Sequence, residues 1–372
     1  MVPTTTPPGR LTSAASASAT SNATPGWRLR LPSRTFLRFL ARRLVALVLL
    51  GLGITFVAFV LTELVPGDPA AANLGQRAIG DPAAVQAFRE HYGLDKPLPV
   101  QYAVYLEHLV RGDLGESEQS HRPVRTDLSE YVPATAELAV TSILIAFVLG
   151  IALGILAAVQ RNRLTDQVLR VVSLGGISMP TFWLALVALY FFFFKLGWVP
   201  GSGRLDPGVL APPHVTGLYV VDGILAGQLD VATSALQHLI LPACVLAAYN
   251  IGLLTRFTRS AVLEVINNDY VQAARAKGLP ERTVVLRHVF RAALPPIITV
   301  AGLAFANVMT GTVLVESIFS WPGIGQYAFH SATTLDLPAI MGVSLFVAIV
   351  YIVVNFTVDI LYGIVDPRVR VA

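Results

Sequence analysis

Long apolar runs recur along this chain, separated by polar stretches of unequal length. Crossing the hydrocarbon of a bilayer takes about 20 consecutive apolar residues. Six runs meet that requirement, at roughly 39–64, 133–159, 168–198, 238–257, 296–317 and 337–364. Each predicts a membrane-spanning helix, because lipid offers backbone polar groups no partner. Between the first two runs lies a polar region, 66–131, with turn signals such as PGDPA at 66–70 and a candidate helix at 81–92. A second polar region, 200–233, is rich in Gly and Pro.

The connection between the fourth and fifth runs is of another kind. It reads NNDYVQAARAKGLPERTVVLRHVFRAALP over 267–295, basic and amphipathic. Asn267, Asn268 or Asp269 can cap a helix. Tyr270 to Lys277 make about two turns, with small Ala273, Ala274 and Ala276. Gly278 suits a left-handed position just past a helix, and Pro280 prevents the helix from continuing. A second helix can begin at Pro280, with its end expected at Pro295. The pattern is helix, sharp turn, helix. A short helix of this kind is a recurring element for seating in a partner's groove. The competing reading, an amphipathic helix lying on anionic lipid, does not account for the Gly–Pro punctuation.

Composition agrees with a membrane protein. Hydrophobic residues make up 54% of the chain and charged residues 13%, with mean hydropathy +0.63. A soluble domain has about 25% charged residues. The single cysteine, Cys244, excludes an intrachain disulfide. Basic residues set the orientation. Placing both termini, the 160–167 loop and the 256–291 segment inside puts 19 Lys and Arg on the cytoplasmic face and 8 on the other. Residues 1–33 are rich in Ser, Thr, Ala and Pro and predict a disordered cytoplasmic tail.

Several chemistries are excluded by what the sequence lacks. It contains no Gly-Lys dipeptide, so it has no phosphate-binding P-loop. It has no HExxH, no GxSxG and no histidines at metal-ligand spacing. No catalytic residue, bound metal or cofactor is expected in the chain itself. Ionisable residues within spans mark the pathways of ion-coupled transporters. Here Glu63, Glu137, Lys195 and Glu316 lie near outer ends, and Arg256, Arg259 and Asp359 near inner ends. That distribution disfavours an ion-coupled secondary transporter.

The insert resembles the cytoplasmic coupling-helix motif of permease subunits of ATP-binding-cassette importers, which reads Glu-Ala-Ala, three residues, then Gly. Here Gln272-Ala273-Ala274 is followed three residues later by Gly278. Gln272 replaces the acidic residue, and Leu294-Pro295 falls four residues later than the general pattern. Both departures are similar to the dipeptide/oligopeptide permease subfamily. So are ARRL at 41–44, LVPGDPA at 64–70, HYGLDKPLPVQYAVYL at 91–106, GDLGES at 112–117, VESIFSWPGIGQ at 315–326 and DILYGIVDPRVR at 359–370. The resemblance covers about 37–370.

It implies an all-α membrane protein with six transmembrane helices and cytoplasmic coupling helices, the type I importer permease fold. The implied layout is a tail at 1–33, a first transmembrane helix at 34–65, an extracytoplasmic loop at 66–131, a permease domain at 132–364 and a cytoplasmic tail at 365–372. Implied partners are a homologous second permease subunit, two ATPase subunits or one fused ATPase that hold ATP and Mg, an extracytoplasmic substrate-binding protein and membrane lipid; nucleic acid is not among them. The location would be the bacterial inner or plasma membrane. The ATPase would be met by Asp269, Tyr270, Gln272, Ala273, Ala274, Lys277, Gly278 and Leu279. The binding protein would dock on Asp95, Lys96, Arg111 and Asp113. Di- or oligopeptides are the expected cargo; nickel chelates, glutathione and sugars are alternatives within the subfamily.

Overall fold

The computed structural model of the chain describes most of 42–60, then 82–92, 95–117, 119–310, 312–334 and 336–365. It is nearly all helical. In chain order the helices are α1 (Val48–Val57), α2 (Pro82–Tyr92), α3 (Leu98–Val110), α4 (Val124–Val159), α5 (Leu164–Ser178), α6 (Thr181–Lys195), α7 (Tyr219–Leu225), α8 (Leu229–Val265), α9 (Asp269–Ala276), α10 (Glu281–Met309), α11 (Val313–Ile318), α12 (Ile324–Thr334) and α13 (Leu337–Val365). Among the described residues, four helices, α4, α8, α10 and α13, are long and apolar enough to cross a membrane. The α5–α6 pair makes a fifth candidate, bent by 102°. The expected first span, 39–64, is described only in part, and α1 is its continuous described stretch.

The run at 168–198 predicts one straight span, and the structure breaks it. Proline crowds the residue before it out of the helical region. Met179 is accordingly extended (φ −78°, ψ 129°), Pro180 follows at ψ 130°, and α6 departs in a new direction.

Elsewhere prolines lie inside helices. α4 begins at Val124, well before Pro133, and runs through the 131/132 boundary between outer loop and permease domain. α8 carries Pro242 internally. The second helix of the insert does not stop at Pro295. It passes through a wide π turn at Val284–Val289, then through Pro295 and Pro296, and continues as the fifth span. That span ends at Met309 rather than near 317, and the separate α11 follows. Proline inside a membrane helix is tolerated where side chains and neighbouring helices satisfy the freed backbone groups.

α4 and α8 form the axis of the molecule. They have 36 and 37 residues, about 55 Å at 1.5 Å per residue, against a hydrocarbon core of about 30 Å. Both therefore project beyond it. They lie close because Gly150 and Gly154 face α8. A Cβ on Gly150 would stand 2.7 Å from the Leu254 Cβ, and one on Gly154 2.6 Å from the Thr258 Cβ. Small residues four apart let membrane helices pack by direct van der Waals contact. One buried cluster, including Leu138, Leu239, Val308, Phe319 and Trp321, lies toward one end of this axis. Another, including Ala158, Val262, Val271, Val284 and Val289, lies at the other end.

Candidate functional site

The second cluster seats the insert. α9 turns two side chains inward, Val271 at 0% and Ala274 at 6% exposure, onto Ala158 of α4, Val262 of α8 and Val284 and Val289 of α10. Its other face is open: Asp269, Tyr270, Gln272, Ala273, Lys277, Gly278 and Leu279 are all exposed. Ala274 therefore belongs to the seat and not to the presented face.

Both ends of α9 are defined by backbone. Asn268 is the residue at its start, extended at ψ 151°, and its side chain makes no capping hydrogen bond. Its carbonyl instead accepts from the Val271 and Gln272 amides at 2.9 and 3.1 Å. At the other end Gly278 has φ +76°. The Gly278 amide donates to the Arg275 carbonyl at 2.9 Å, and the Leu279 amide to the Ala274 carbonyl at 3.4 Å. This pair of bonds is the Schellman termination, which places its left-handed residue where glycine is free of Cβ strain. Pro280, at ψ 140°, then starts α10, its carbonyl accepting from the Thr283 and Val284 amides.

An ion pair closes the elbow. Arg275 donates through Nε and Nη2 to the two carboxylate oxygens of Glu281 at 3.1 and 2.7 Å, and through Nη1 to the Ile266 carbonyl at 3.3 Å. The hydrogen-bonded Glu281 carboxylate holds the Arg275 guanidinium above its ordinary pKa. One side chain thus ties the end of α8, the short helix and the start of α10. Nearby, Arg259 of α8 makes a two-point contact with the buried Asp166 carboxylate at 2.7 and 2.9 Å, and the Asn162 amide donates to the same group at 3.0 Å. That contact fixes the 160–163 turn and the start of α5 to α8.

At the opposite end, the four candidate docking residues do not come together. Asp95 and Lys96 are exposed just before α3, while Arg111 and Asp113 follow its end. Thirteen residues of helix separate the pairs, about 20 Å. Arg111 pairs with Glu107 at 2.5 Å, and Asp113 accepts from the Gly115 amide at 3.0 Å and contacts His108 Nδ1 at 2.9 Å. Beyond them the chain is anchored. Ser117 donates to the buried Asp336 at 2.6 Å, and Asp127, in the first turn of α4, accepts from Arg122, Ser120 and the Tyr327 hydroxyl.

The second polar region is held by buried charge. Arg204 donates to Glu137 of α4 at 2.6 Å and to the Gly217 carbonyl at 3.0 Å, with its guanidinium 3.5 Å from the Tyr219 ring centroid. Glu316 is fully buried and accepts from Thr135 and Thr312 hydroxyls and from the Gln326 amide. A Cβ on Gly323 would collide with the Glu316 carboxylate, so the SWPGIGQ loop wraps it closely because glycine stands there. Asp222 accepts from the Val215, Thr216 and Gly217 amides and the Thr216 hydroxyl. Burial raises its pKa, but those hydrogen bonds outweigh burial and hold it below the usual carboxylate value.

Val271, Arg275, Glu281 and Arg204 were not among the residues singled out from sequence. Val271 is legible as the position three before Ala274 on the same face of a short helix. Arg275 and Glu281 are six apart across a turn, a spacing that no helical rule pairs. Arg204 sits in a loop, where nothing local predicts burial. Among the described residues, no group of three or more His, Cys, Asp or Glu is placed to hold a metal ion.

Comparison with known proteins agrees with this geometry. The family described as "Binding-protein-dependent transport system inner membrane component" matches residues 150–371, and its N-terminal counterpart matches 36–139. The chain is 45% identical over 335 residues to the "Probable D,D-dipeptide transport system permease protein DdpB" of Escherichia coli K12, covering 90% of this chain and 98% of that one. It is 42% identical to the di/tripeptide transport system permease protein DppB of Pseudomonas aeruginosa and 39% identical to the dipeptide transport system permease protein DppB of Alkalihalophilus pseudofirmus, covering 90% of this chain and 99% of each relative. Among solved structures it is similar to the MetNI methionine ABC transporter in an inward-facing form, at TM-score 0.45 and 16% identity, over 64% of this chain and 96% of that one. The chain is a multi-pass membrane protein and belongs to the family of binding-protein-dependent transport system inner membrane components.

Proposed function

We propose that this chain is one of two homologous permease subunits of an ATP-driven importer in the bacterial inner or plasma membrane, and that its cargo is a di- or oligopeptide delivered by an extracytoplasmic binding protein. The elbow carries the reading. α9 is pinned by two buried side chains, a left-handed glycine and an ion pair, yet presents Asp269, Tyr270, Gln272, Ala273, Lys277 and Leu279 outward. A rigid short helix with an open face can receive force from a partner's groove and pass it to α8 and α10. The partner supplies ATP and Mg, since this chain lacks a P-loop. The peptide cargo is supported by relatives whose names specify dipeptides and tripeptides. Both termini and the insert face the cytoplasm, in keeping with the excess of basic residues there. The binding protein meets the two ends of α3 as separate contacts, Asp95 with Lys96 and Arg111 with Asp113.

The test is reconstitution in liposomes of the complex purified through a tag on this chain, with uptake of a labelled dipeptide measured against nickel chelate and glutathione. Uptake of the dipeptide that requires both ATP and binding protein is the expected result. Phosphate release by this chain with all partners removed would overturn the division of labour. Transport of only a non-peptide cargo would overturn the substrate.

A further inference from the structure

A cavity of about 270 Å³ opens where α4, α5 and α8 meet near the elbow. Arg170, Arg256 and Arg259 line it, with Thr255 and the apolar Leu174 and Ile177. One carboxylate engages this set: Asp166 binds Arg259 at two points and lies 3.7 Å from Arg170. Arg256 is exposed and has no ion pair among the described residues. Thr255 is 3% exposed, and its hydroxyl has no hydrogen-bond partner. The cluster therefore carries excess positive charge and an unpaired buried hydroxyl.

The apolar part of the lining has a direction. Leu174 and Ile177 follow Arg170 by four and seven residues on α5, so the three share one helix face. The arginine end suits a phosphate; the Leu174–Ile177 end suits hydrocarbon. A free anion would use only the first. Basic pockets between membrane helices on the cytoplasmic side are suited to anionic lipid headgroups. We propose that this cavity binds an anionic phospholipid of the inner leaflet, its phosphate against Arg170 and Arg256 and one acyl chain along Leu174 and Ile177. The leaflet rests on the orientation proposed above. A lipid held there bridges α5 and α8, the helix that leads into the elbow.

Native mass spectrometry tests this on the complex purified through a tag on this chain, with phosphatidylglycerol or phosphatidylcholine supplied in detergent. Retention of one phosphatidylglycerol in preference to phosphatidylcholine is expected. Arg256→Gln should weaken it about fivefold, the change equivalent to about 1 kcal/mol per basic residue near an anionic surface. Arg256→Lys should restore it, and Leu174→Trp, at an exposed position, should weaken it without loss of fold. Equal retention by wild type and both weakened variants would overturn the proposal. So would displacement by millimolar inorganic phosphate, which would identify a free-anion site. Retention by the isolated chain but not by the complex would assign the cavity to contact between subunits and also overturn it. If no ATPase co-purifies, the importer reading fails, while lipid retention by the chain still decides this inference.

Discussion

Replacing Gly278 with valine should disconnect the elbow without removing the protein from the membrane. Gly278 stands at φ +76°, and no heavy atom lies within 4 Å of where a Cβ would be. The cost is therefore dihedral and not steric crowding. A left-handed conformation costs an L-residue about 1–2 kcal/mol, rising to about 3 kcal/mol in strained cases. The opposing term is the seat. Full burial of a valine such as Val271 stabilises by about 1.5–3 kcal/mol. The two are of the same size, so valine at 278 can shift the balance between seated and unseated α9 by roughly 30-fold for 2 kcal/mol. Asparagine tolerates the left-handed region, and alanine lacks the β-branch. The expected order of activity is therefore Gly278→Asn near wild type, then Gly278→Ala, then Gly278→Val lowest.

The assay is binding-protein-stimulated phosphate release by the reconstituted complex at matched abundance, with hydrogen exchange over 269–276 reporting whether α9 is seated. Gly278→Val should lower stimulated turnover about tenfold or more and speed exchange in α9. Gly302→Val gives the contrast. A Cβ there would collide with Val358, so that variant should lose folded protein instead of coupling. Wild-type stimulated turnover by Gly278→Val at equal abundance would refute the reasoning.

Four further outcomes are expected. Arg204→Ala leaves Glu137 buried without its cation, at a cost of about 3–5 kcal/mol, and should lower the thermal midpoint in detergent; an unchanged midpoint would show that the pair does not anchor the second outer region. With Cys244→Ala as background, an impermeant maleimide should label Asp95→Cys in intact cells and Arg282→Cys only after permeabilisation, and the reverse would invert the orientation. Charge reversal at Asp95 and Lys96 together should raise the binding-protein concentration for half-maximal stimulation, and wild-type concentration dependence would remove them from the docking surface. Asp222 has a folded pKa depressed below its ordinary value, so its stabilisation is complete above about pH 4 and is lost as pH falls through the lower folded value; protease cleavage within 200–218 should rise only below about pH 4, whereas Asp222→Asn should raise it at neutral pH.

The elbow was largely legible because its determinants are local. Gly278 and Pro280 act through their own dihedrals, and both fall where the turn needs them. The helix at 81–92 was legible for the same reason. The helix end expected at Pro295 was misplaced because Pro295 and Pro296, inside one long apolar helix, each remove one bond and packed neighbours offset the loss. The break at Pro180 shows the opposite outcome for the same residue type. What separates these cases is tertiary support, which a single sequence does not display. Arg204 and Glu137 illustrate the other limit. They lie 67 residues apart, and their pairing follows from how the second outer region folds over α4. The GIALG spacing at 150–154 was visible in the sequence, but its meaning depended on knowing that α8 faces it.

The positions of these contacts determine what can move. α4 and α8 are joined near one end through Glu137, Arg204 and the region that Asp206 ties back to Ser234 of α8. They are joined at mid-length by the Gly150–Gly154 contact. At the other end Ala158 and Val262 share the core that seats Val271. Three contacts spread along about 55 Å hold the pair together along its length, so force applied to α9 should reach both helices. α10 shares the same seat through Val284 and Val289 and must follow. The α5–α6 pair is joined to the same body on both sides of its break. α5 is fixed to α8 by Asp166 and Arg259, and beyond the proline break at Met179 and Pro180 α6 packs Ala185 and Ala188 into the cluster that holds Leu138 of α4 and Leu239 of α8. A push on the elbow should therefore carry α4, α5, α6, α8 and α10 together. The open face of the elbow then offers a partner a grip on a part of the molecule that is packed together along its length.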